Sequence, residues 1–451
     1  MNSTGISGFT LHKRLMTPGY AFVAYVYITF LLAVAGPFDY LVLNPAKVFL
    51  YLTYIMVCFF AGYRFSFMRP FPSESLIRPG RKVWVLIGIA FGVVTTTYVV
   101  FHGGSSDSLL LAISDPGTAY RAALDANKGS VDVSLMAQIQ TLTYGLTMCA
   151  MAAVFVGKKR YPGWIIALAW CFPLAQVALA VRLGTFKLLG DWLIFALTIY
   201  SLSRARATSR RQKVIMTIAI LGFLGAHIYS QESRKIAFNA ATGFAYLHST
   251  VFRSDNVVSE VLGPGLYEQI ANPIFYVTNG YAGLSAALDE DFVWTYGLGN
   301  SMALQSYAEQ YFNLDLSKKT YIARAEETHD WPQVYWSTIF PSLASDITFA
   351  GCGVLFAFIG FIYPKVYYRA FYSSCPLSTA LLFYLNVLLI YVPCNNQVMQ
   401  VRQQMIAFVG TVLAYWIATK ILPREAYPDR QGRFRSTRWN IAKALNRPEQ
   451  A

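Results

Sequence analysis

VWVLIGIAFGVVTTTYVVF, residues 83 to 101, runs for nineteen residues without a charge. A helix of that length rises about 28 Å, close to the roughly 30 Å hydrocarbon core of a bilayer. Its apolar side chains cover every face of the helix, as in a membrane span and unlike a surface helix of a soluble protein. Comparable stretches lie near 19 to 36 and 45 to 63 on one side of it. On the other side they lie near 134 to 156, 163 to 181, 187 to 203, 214 to 229, 339 to 363, 376 to 393 and 400 to 421. Ten spans are therefore expected. The sixth and seventh are short, and the ninth and tenth meet at the polar turn CNNQ, Cys394 to Gln397. Of the 451 residues 55% are hydrophobic and 13% charged, against a charged share of about 25% in soluble domains. The expected fold is an all-α polytopic membrane protein.

The formal charge of +14 raises nucleic-acid binding as a possible role, but its distribution points elsewhere. Basic residues gather in alternate loops: Lys13 and Arg14, Arg64 to Lys82, Lys158 to Arg160, Arg204 to Lys213, Lys365 with Arg369, and the tail from Lys420 onward. With those segments on one side of the membrane, that side holds 25 Lys/Arg and 4 Asp/Glu, and the other holds 12 and 19. This is the positive-inside pattern. Both termini are then expected in the cytoplasm. The basic tail, 423–451, is read as a topology signal touching anionic headgroups, ahead of a nucleic-acid contact. The first apolar stretch is long enough to span and lacks a small-residue cleavage pattern, so it is expected to stay as a signal anchor. Six cysteines are scattered, none of them in the long external loop, so neither a disulfide framework nor a metal spacing is expected.

Between the seventh and eighth spans, residues 230 to 338 form an external segment rich in Tyr, Phe and Trp. Disordered segments are poor in aromatics, so this one is expected to fold, as a loop domain set between membrane parts 1–229 and 339–422. Candidate functional residues concentrate in this loop and at the outer ends of the helices. Arg121 lies on a short amphipathic stretch, 118 to 126, suited to the membrane interface. In AVRLGTFKLLGDW, Lys187 and Asp191 share a helix face at i, i+4 spacing, whereas Arg182 has no local partner; it reads equally as an anchor or a ligand-binding cation. Arg402 stands with Gln400, Gln403 and Gln404, too many polar groups to face lipid together.

The loop ends in Arg324-Ala-Glu-Glu-Thr-His-Asp-Trp331, a fixed cation beside Glu327, His329 and Asp330. A solvated face is the plainer reading of each, set against anion binding and proton transfer. Asp346 falls inside the eighth span, where an ionised group needs a partner. No phosphate-cradling glycine loop, zinc-type spacing or nucleophile elbow is present. No metal or other cofactor is expected.

Three stretches resemble the bacterial O-antigen polymerase family, the Wzy-type oligosaccharide repeat-unit polymerases. They are VRLGTFKLLGDWLIFAL at 181–197, NPIFYVTNGYAGLSAAL at 272–288 followed by TYGLGN at 295–300, and VYWSTIFPSLASDITFAGCGVLFAFIGFIYPKVYY at 334–368. Asp346 and Gly351 occupy matching places, and Arg402 falls where the family often carries an arginine. The resemblance implies a GT-C-like, inverting glycosyltransferase of the bacterial inner membrane. Its substrates would be undecaprenyl-diphosphate-linked oligosaccharides, with a chain-length regulator as a further partner. Guanidinium groups match phosphate oxygens, so Arg182, Lys187, Arg234, Arg324 and Arg402 are the diphosphate candidates. His329, Asp330, Glu327 and Asp346 are candidates for the base that takes the acceptor proton. Tyr276, Tyr281, Trp294, Trp331 and Trp336 are candidates for stacking on sugars, with core packing as the alternative. An O-antigen ligase would share this chemistry. A transporter or flippase for an anionic or lipid-linked solute is the rival from another class; it would place polar residues near mid-membrane.

Overall fold

The structure is a computed structural model that describes residues 8–40, 42–69, 82–102, 109–121, 135–157, 161–203, 210–242, 253, 257–329, 331 and 336–420. Among these residues the secondary structure is helical throughout, without a strand. The first half contains α1 (Gly8–Ala35), α2 (Pro45–Phe67), α3 (Lys82–His102), the short α4 (Leu109–Ser114) and α5 (116–121), α6 (Leu135–Val156), α7 (Gly163–Arg182), α8 (Lys187–Ser203) and α9 (Arg210–Thr242). The segment between α9 and α15, expected to be external, folds as α10 (Val257–Leu262), α11 (Pro264–Tyr276), α12 (Gly280–Ala287), α13 (Met302–Phe312) and α14 (Tyr321–His329). The chain then returns through α15 (Ile339–Ser373), α16 (Pro376–Ile390), the single turn α17 (Gln397–Gln400) and α18 (Arg402–Lys420).

Seven described helices are long and apolar enough to cross a membrane: α1 from Leu15, α2, α3, α6, α7, α9 over Val214–Arg234, and α15. The expected sixth, ninth and tenth spans correspond to α8, α16 and α18, of 17, 15 and 19 residues. The expected loop domain begins inside α9, which continues past residue 230 to Thr242. The basic tail and Asp330 lie outside the described residues.

Helices α2 and α15 form the closest pair, because glycines let their backbones meet. A methyl group at Gly62 would stand 1.8 Å from the Ala357 carbonyl oxygen, and one at Gly360 would stand 2.1 Å from that of Phe59. Small residues at such contacts are how helices associate in lipid, where apolar burial drives nothing. Helices α3, α6 and α7 are joined by a buried polar node instead: the amides of Gln140 and Gln176 both donate to Thr96 Oγ1, at 2.8 and 2.9 Å.

Two departures from regular helix position the outer face. Thr348 has φ 65° and interrupts α15; its hydroxyl accepts from the Gly351 N–H at 3.1 Å, capping the helix that begins after the break. Residues 339–347 are thus a separate outer piece, and 349–373 form the spanning piece. The second departure is α16, which is buried along nearly its whole length. Fifteen residues reach about 22 Å, short of the roughly 30 Å core. The polar turn 391–401 that follows it lies under the external helices. Ile339 N–H donates to the Val392 carbonyl at 3.0 Å, Cys394 Sγ lies 2.9 Å from the Tyr276 carbonyl oxygen, and Ser301 Oγ donates to the Met399 carbonyl at 2.7 Å.

Candidate active site

The turn between α7 and α8 is the hub of the outer face. It needs Gly184, which has φ 56° and would place a methyl group 2.4 Å from the Pro116 carbonyl oxygen. Arg234 of α9 is buried, donates to the Gly184 carbonyl and holds its guanidinium 3.8 Å from the centre of the Tyr120 ring. Arg182, at the end of α7, donates to the Val99 carbonyl at 3.2 Å. Lys187, at the start of α8, lies 3.0 Å from Asp191 Oδ2 and donates to the Gln404 side chain. Two residues before Gln404, the Arg402 guanidinium sits 4.9 Å from the Tyr307 ring centre, beneath the external helix α13. Three of the five cations picked out in the sequence, Arg182, Lys187 and Arg234, therefore lie on the 182–187 turn or are bonded to it, and Arg402 opens the helix whose Gln404 reaches Lys187.

The neighbouring segments are pinned to this hub. Asp115 accepts from Ser233 Oγ at 2.7 Å and from Thr118 Oγ1 at 2.6 Å, and Ser233 Oγ also accepts from the Gly117 N–H at 2.7 Å. The hydrogen bond from Thr118, helped by Ser233 and opposed by partial burial, holds the Asp115 carboxyl below its usual range. On the inner face of α9, His227, Gln231 and Arg234 follow at i, i+4 and i+7, one stripe of a helix. Gln231 accepts from the Tyr276 hydroxyl at 2.6 Å. The His227 ring lies 4.9 Å from Tyr276, and Tyr276 lies 4.8 Å from Trp336, both edge to face. Trp331 braces that wall by donating from Nε1 to the Trp336 carbonyl at 3.3 Å.

The polar turn supplies a floor. Six buried side-chain atoms between Asn395 and Gln403 have no hydrogen-bond partner among the described residues: Asn395 Oδ1, both polar atoms of Asn396, Gln400 Oε1, Arg402 Nε and Gln403 Nε2. Each unpaired buried group costs about 1–3 kcal/mol, so their concentration in nine residues is unlike ordinary packing. Asn396 is only 1% exposed.

The remaining candidates have other positions. Arg324 pairs with Glu290 at 3.4 Å, donates to the Asp291 carbonyl at 2.6 Å and covers the Tyr321 ring. His329 Nε2 lies 3.5 Å from Glu290 Oε1, and Thr328 donates to the same carboxylate. Glu290 thus organises a second, self-neutralising cluster on the external helices. Glu327 is exposed on α14.

Asp346, expected as a possible base, is a clamp. Its Oδ1 accepts from Thr295 Oγ1 and from Gly299 N–H at 3.0 Å, and its Oδ2 accepts from the Asn300 N–H and side-chain amide at 2.9 and 2.7 Å. A carboxylate with four donors around it is occupied, and the stretch it holds is TYGLGN. Tyr281, expected as a possible sugar platform, is fully buried; its hydroxyl bonds Thr29 at 2.8 Å and the Val26 carbonyl at 3.1 Å. It fastens α12 to α1. Trp294 is exposed and packs against Tyr296.

His227, Gln231, Glu290 and Asn396 are not among the candidates that the sequence singles out. The first two were legible as a helical stripe ending at Arg234, whereas Glu290 and Asn396 depend on tertiary contacts. Among the described residues no three His, Cys, Asp or Glu side chains are placed to share a metal ion. Compared with protein-family models, with curated proteins and with solved structures, the chain matches none of them.

Proposed function

We propose that this protein is a membrane glycosyltransferase that polymerises lipid-diphosphate-linked oligosaccharide repeat units at the outer face of a bacterial inner membrane. The observation that carries this reading is the gathering of Arg182, Lys187 and Arg234 at the 182–187 turn, with Gln231, on the same helix stripe as Arg234, bonded to Tyr276 of the aromatic wall. A cationic rim at the ends of apolar helices suits a diphosphate whose lipid tail lies in the bilayer. Neutral amides and aromatic rings beside it suit sugars. The basic loops then face the cytoplasm with both termini, and the external helices face the periplasm.

In this reading an acceptor hydroxyl oxygen attacks the anomeric carbon of the donor chain from the side opposite the diphosphate. The bond from that carbon to the diphosphate oxygen breaks, and the lipid diphosphate leaves with the electron pair. The arginines stabilise the charge that grows on it. The hydroxyl proton passes to a side-chain base, for which the histidine candidates are His227, whose ring packs on Tyr276, and His329, beside Glu290. Polar groups at the outer ends of helices favour this chemistry over carriage of a solute through the membrane centre.

Purified protein incubated in detergent with lipid-linked repeat units tests the reading. Products several repeats long are expected, with free lipid diphosphate formed at each addition. Intact substrate without elongation, from folded protein, would overturn it. Transfer of a finished chain to a lipid A core acceptor without repeat addition would make the protein a ligase.

A further inference from the structure

We infer that the strip Phe292-Val293-Trp294-Thr295-Tyr296 is an interfacial anchor that seats the external domain on the outer lipid surface; this does not depend on the polymerase reading. The strip alternates between attachment and display. Thr295 is fully buried, with its N–H and hydroxyl bonded to the Ser345 carbonyl at 3.2 and 2.7 Å. Its neighbours face outward: Trp294 is 55% exposed and Tyr296 53%, with ring centres 4.9 Å apart. Phe292 and Val293 are exposed as well.

The chain holds these rings out at a cost. Tyr296 has φ 59°, a conformation that non-glycine residues seldom adopt, followed by Gly297 at φ 80°. Buried Asp346 fixes the far side through Gly299 and Asn300. A surface ornament needs no such clamp, whereas a part that bears on another surface does.

The height of the strip identifies that surface. Ser345 and Asp346 lie three and two residues before Thr348, where the spanning piece of α15 begins. Along the spanning piece of α15, Val354 and Phe358 are exposed apolar residues four apart, on one side of that helix, and Ile347 is exposed just before the break. The strip is bonded to Ser345 and Asp346, just above the break, so its rings stand at the level where the spanning piece begins. On α2, Lys47 in the first turn reaches the Leu288 carbonyl at 2.7 Å and also Asp289, which sets the 288–289 backbone at the level where α2 begins. Lys319 lies 5.4 Å from the Tyr296 ring centre. Trp and Tyr with a neighbouring Lys at the mouth of a span are the composition of the headgroup layer. The partner is accordingly the lipid surface, with apolar ring edges among upper acyl carbons and the lysine among phosphates.

The test uses the full chain in phosphatidylcholine vesicles, unbrominated or carrying bromine at shallow acyl positions. The chain has nine tryptophans, so the emission of wild type minus Trp294→Phe isolates residue 294. That difference is expected to fall by about half or more in the brominated vesicles, and Asp346→Ala is expected to reduce the quenching. Difference emission equal in both vesicles and quenched by aqueous iodide would overturn the inference. A response to a soluble oligosaccharide in place of bromolipid would make the strip a sugar platform and overturn it too. Trp294→Phe changes only a half-exposed ring, so the readout survives even if Asp346→Ala fails to fold.

Discussion

Lys187 and Asp191 lie one helical turn apart on α8, and Gln404 of α18 closes their ion pair into a ring. Lys187 Nζ is 3.0 Å from Asp191 Oδ2 and donates to Gln404 Oε1, while Gln404 Nε2 donates to the same carboxylate oxygen. Asp191 is almost wholly buried, so the pair joins two helices and is not a surface decoration.

Breaking such a pair strands a charge. Asp191→Asn is expected to lower stability by about 3 kcal/mol, read as a fall in thermal midpoint in detergent. Lys187→Met combined with Asp191→Leu should recover most of it, because replacing both partners removes the stranded charge. A double variant as unstable as the single would show that the ring is not what joins α8 to α18.

Arg234 is held by geometry as well as charge, through the Gly184 carbonyl and the Tyr120 ring. Arg234→Ala should lower chain elongation by about a hundredfold or more without loss of membrane-inserted protein. Arg234→Lys should rescue little of it, since lysine lacks the planar fork. Arg182→Ala and Arg402→Ala should likewise stop elongation, and normal chain lengths in any of these would remove that residue from the site.

The two histidines are separable by pH. The elongation rate of wild type should fall on the acid side as the acting imidazole takes up a proton. Replacing the acting base by glutamine should lower the rate by about a hundredfold or more and abolish that limb. His227→Gln and His329→Gln, assayed from pH 5 to 9, assign it; two unchanged profiles would exclude both imidazoles.

Asp346→Asn should behave as a clamp variant. One acceptor oxygen is lost and a donor now points at donors, so a stability loss of about 2–3 kcal/mol is expected. Proteolysis within 292–300 should speed up. A base at this position would give the opposite result: normal stability with lost turnover.

Asp115 gives a pH dependence of known sign. Its pKa is lowered in the folded protein, chiefly by the hydrogen bond from Thr118. Its contribution to stability is therefore complete above the ordinary carboxylate value of about 3.9 and is lost as pH falls through the lower folded value. Hydrogen exchange in peptides covering 115–121 should quicken as the medium is acidified across that window. Asp115→Asn should show the quicker exchange at neutral pH and little further change with acid.

The spans were legible because unbroken apolar length is a local property: 83 to 101 announces α3 without any partner. Arg182, Lys187 and Arg402 were also visible, since charge beside a span is conspicuous in one dimension. The joining of the elements that carry them was not visible, because it depends on Gly184 letting Pro116 approach and on Gln404 reaching across from α18. Asp346 illustrates the opposite limit. A carboxylate in an apolar run signals that a partner exists, but the donors come from residues 295–300, some fifty positions earlier. The break at Thr348 was hidden as well. Asp-Ile-Thr-Phe carries no glycine or proline, and the backbone leaves the helix only because a separate outer piece is fixed by contacts with Thr295, Tyr321 and Val392.

That break divides the labour of one long helix. Below Thr348 the chain is locked to α2 through Gly62 and Gly360. Above it, nine residues carry the bond to Thr295, the Asp346 clamp and, through Ile339, the bond to the polar turn. Because the outer piece leaves the helix axis at Thr348, the angle at which it carries the polar turn and the TYGLGN stretch is set by what it packs on, Phe340 against Tyr51 and Phe356, and not by the axis of the span below it.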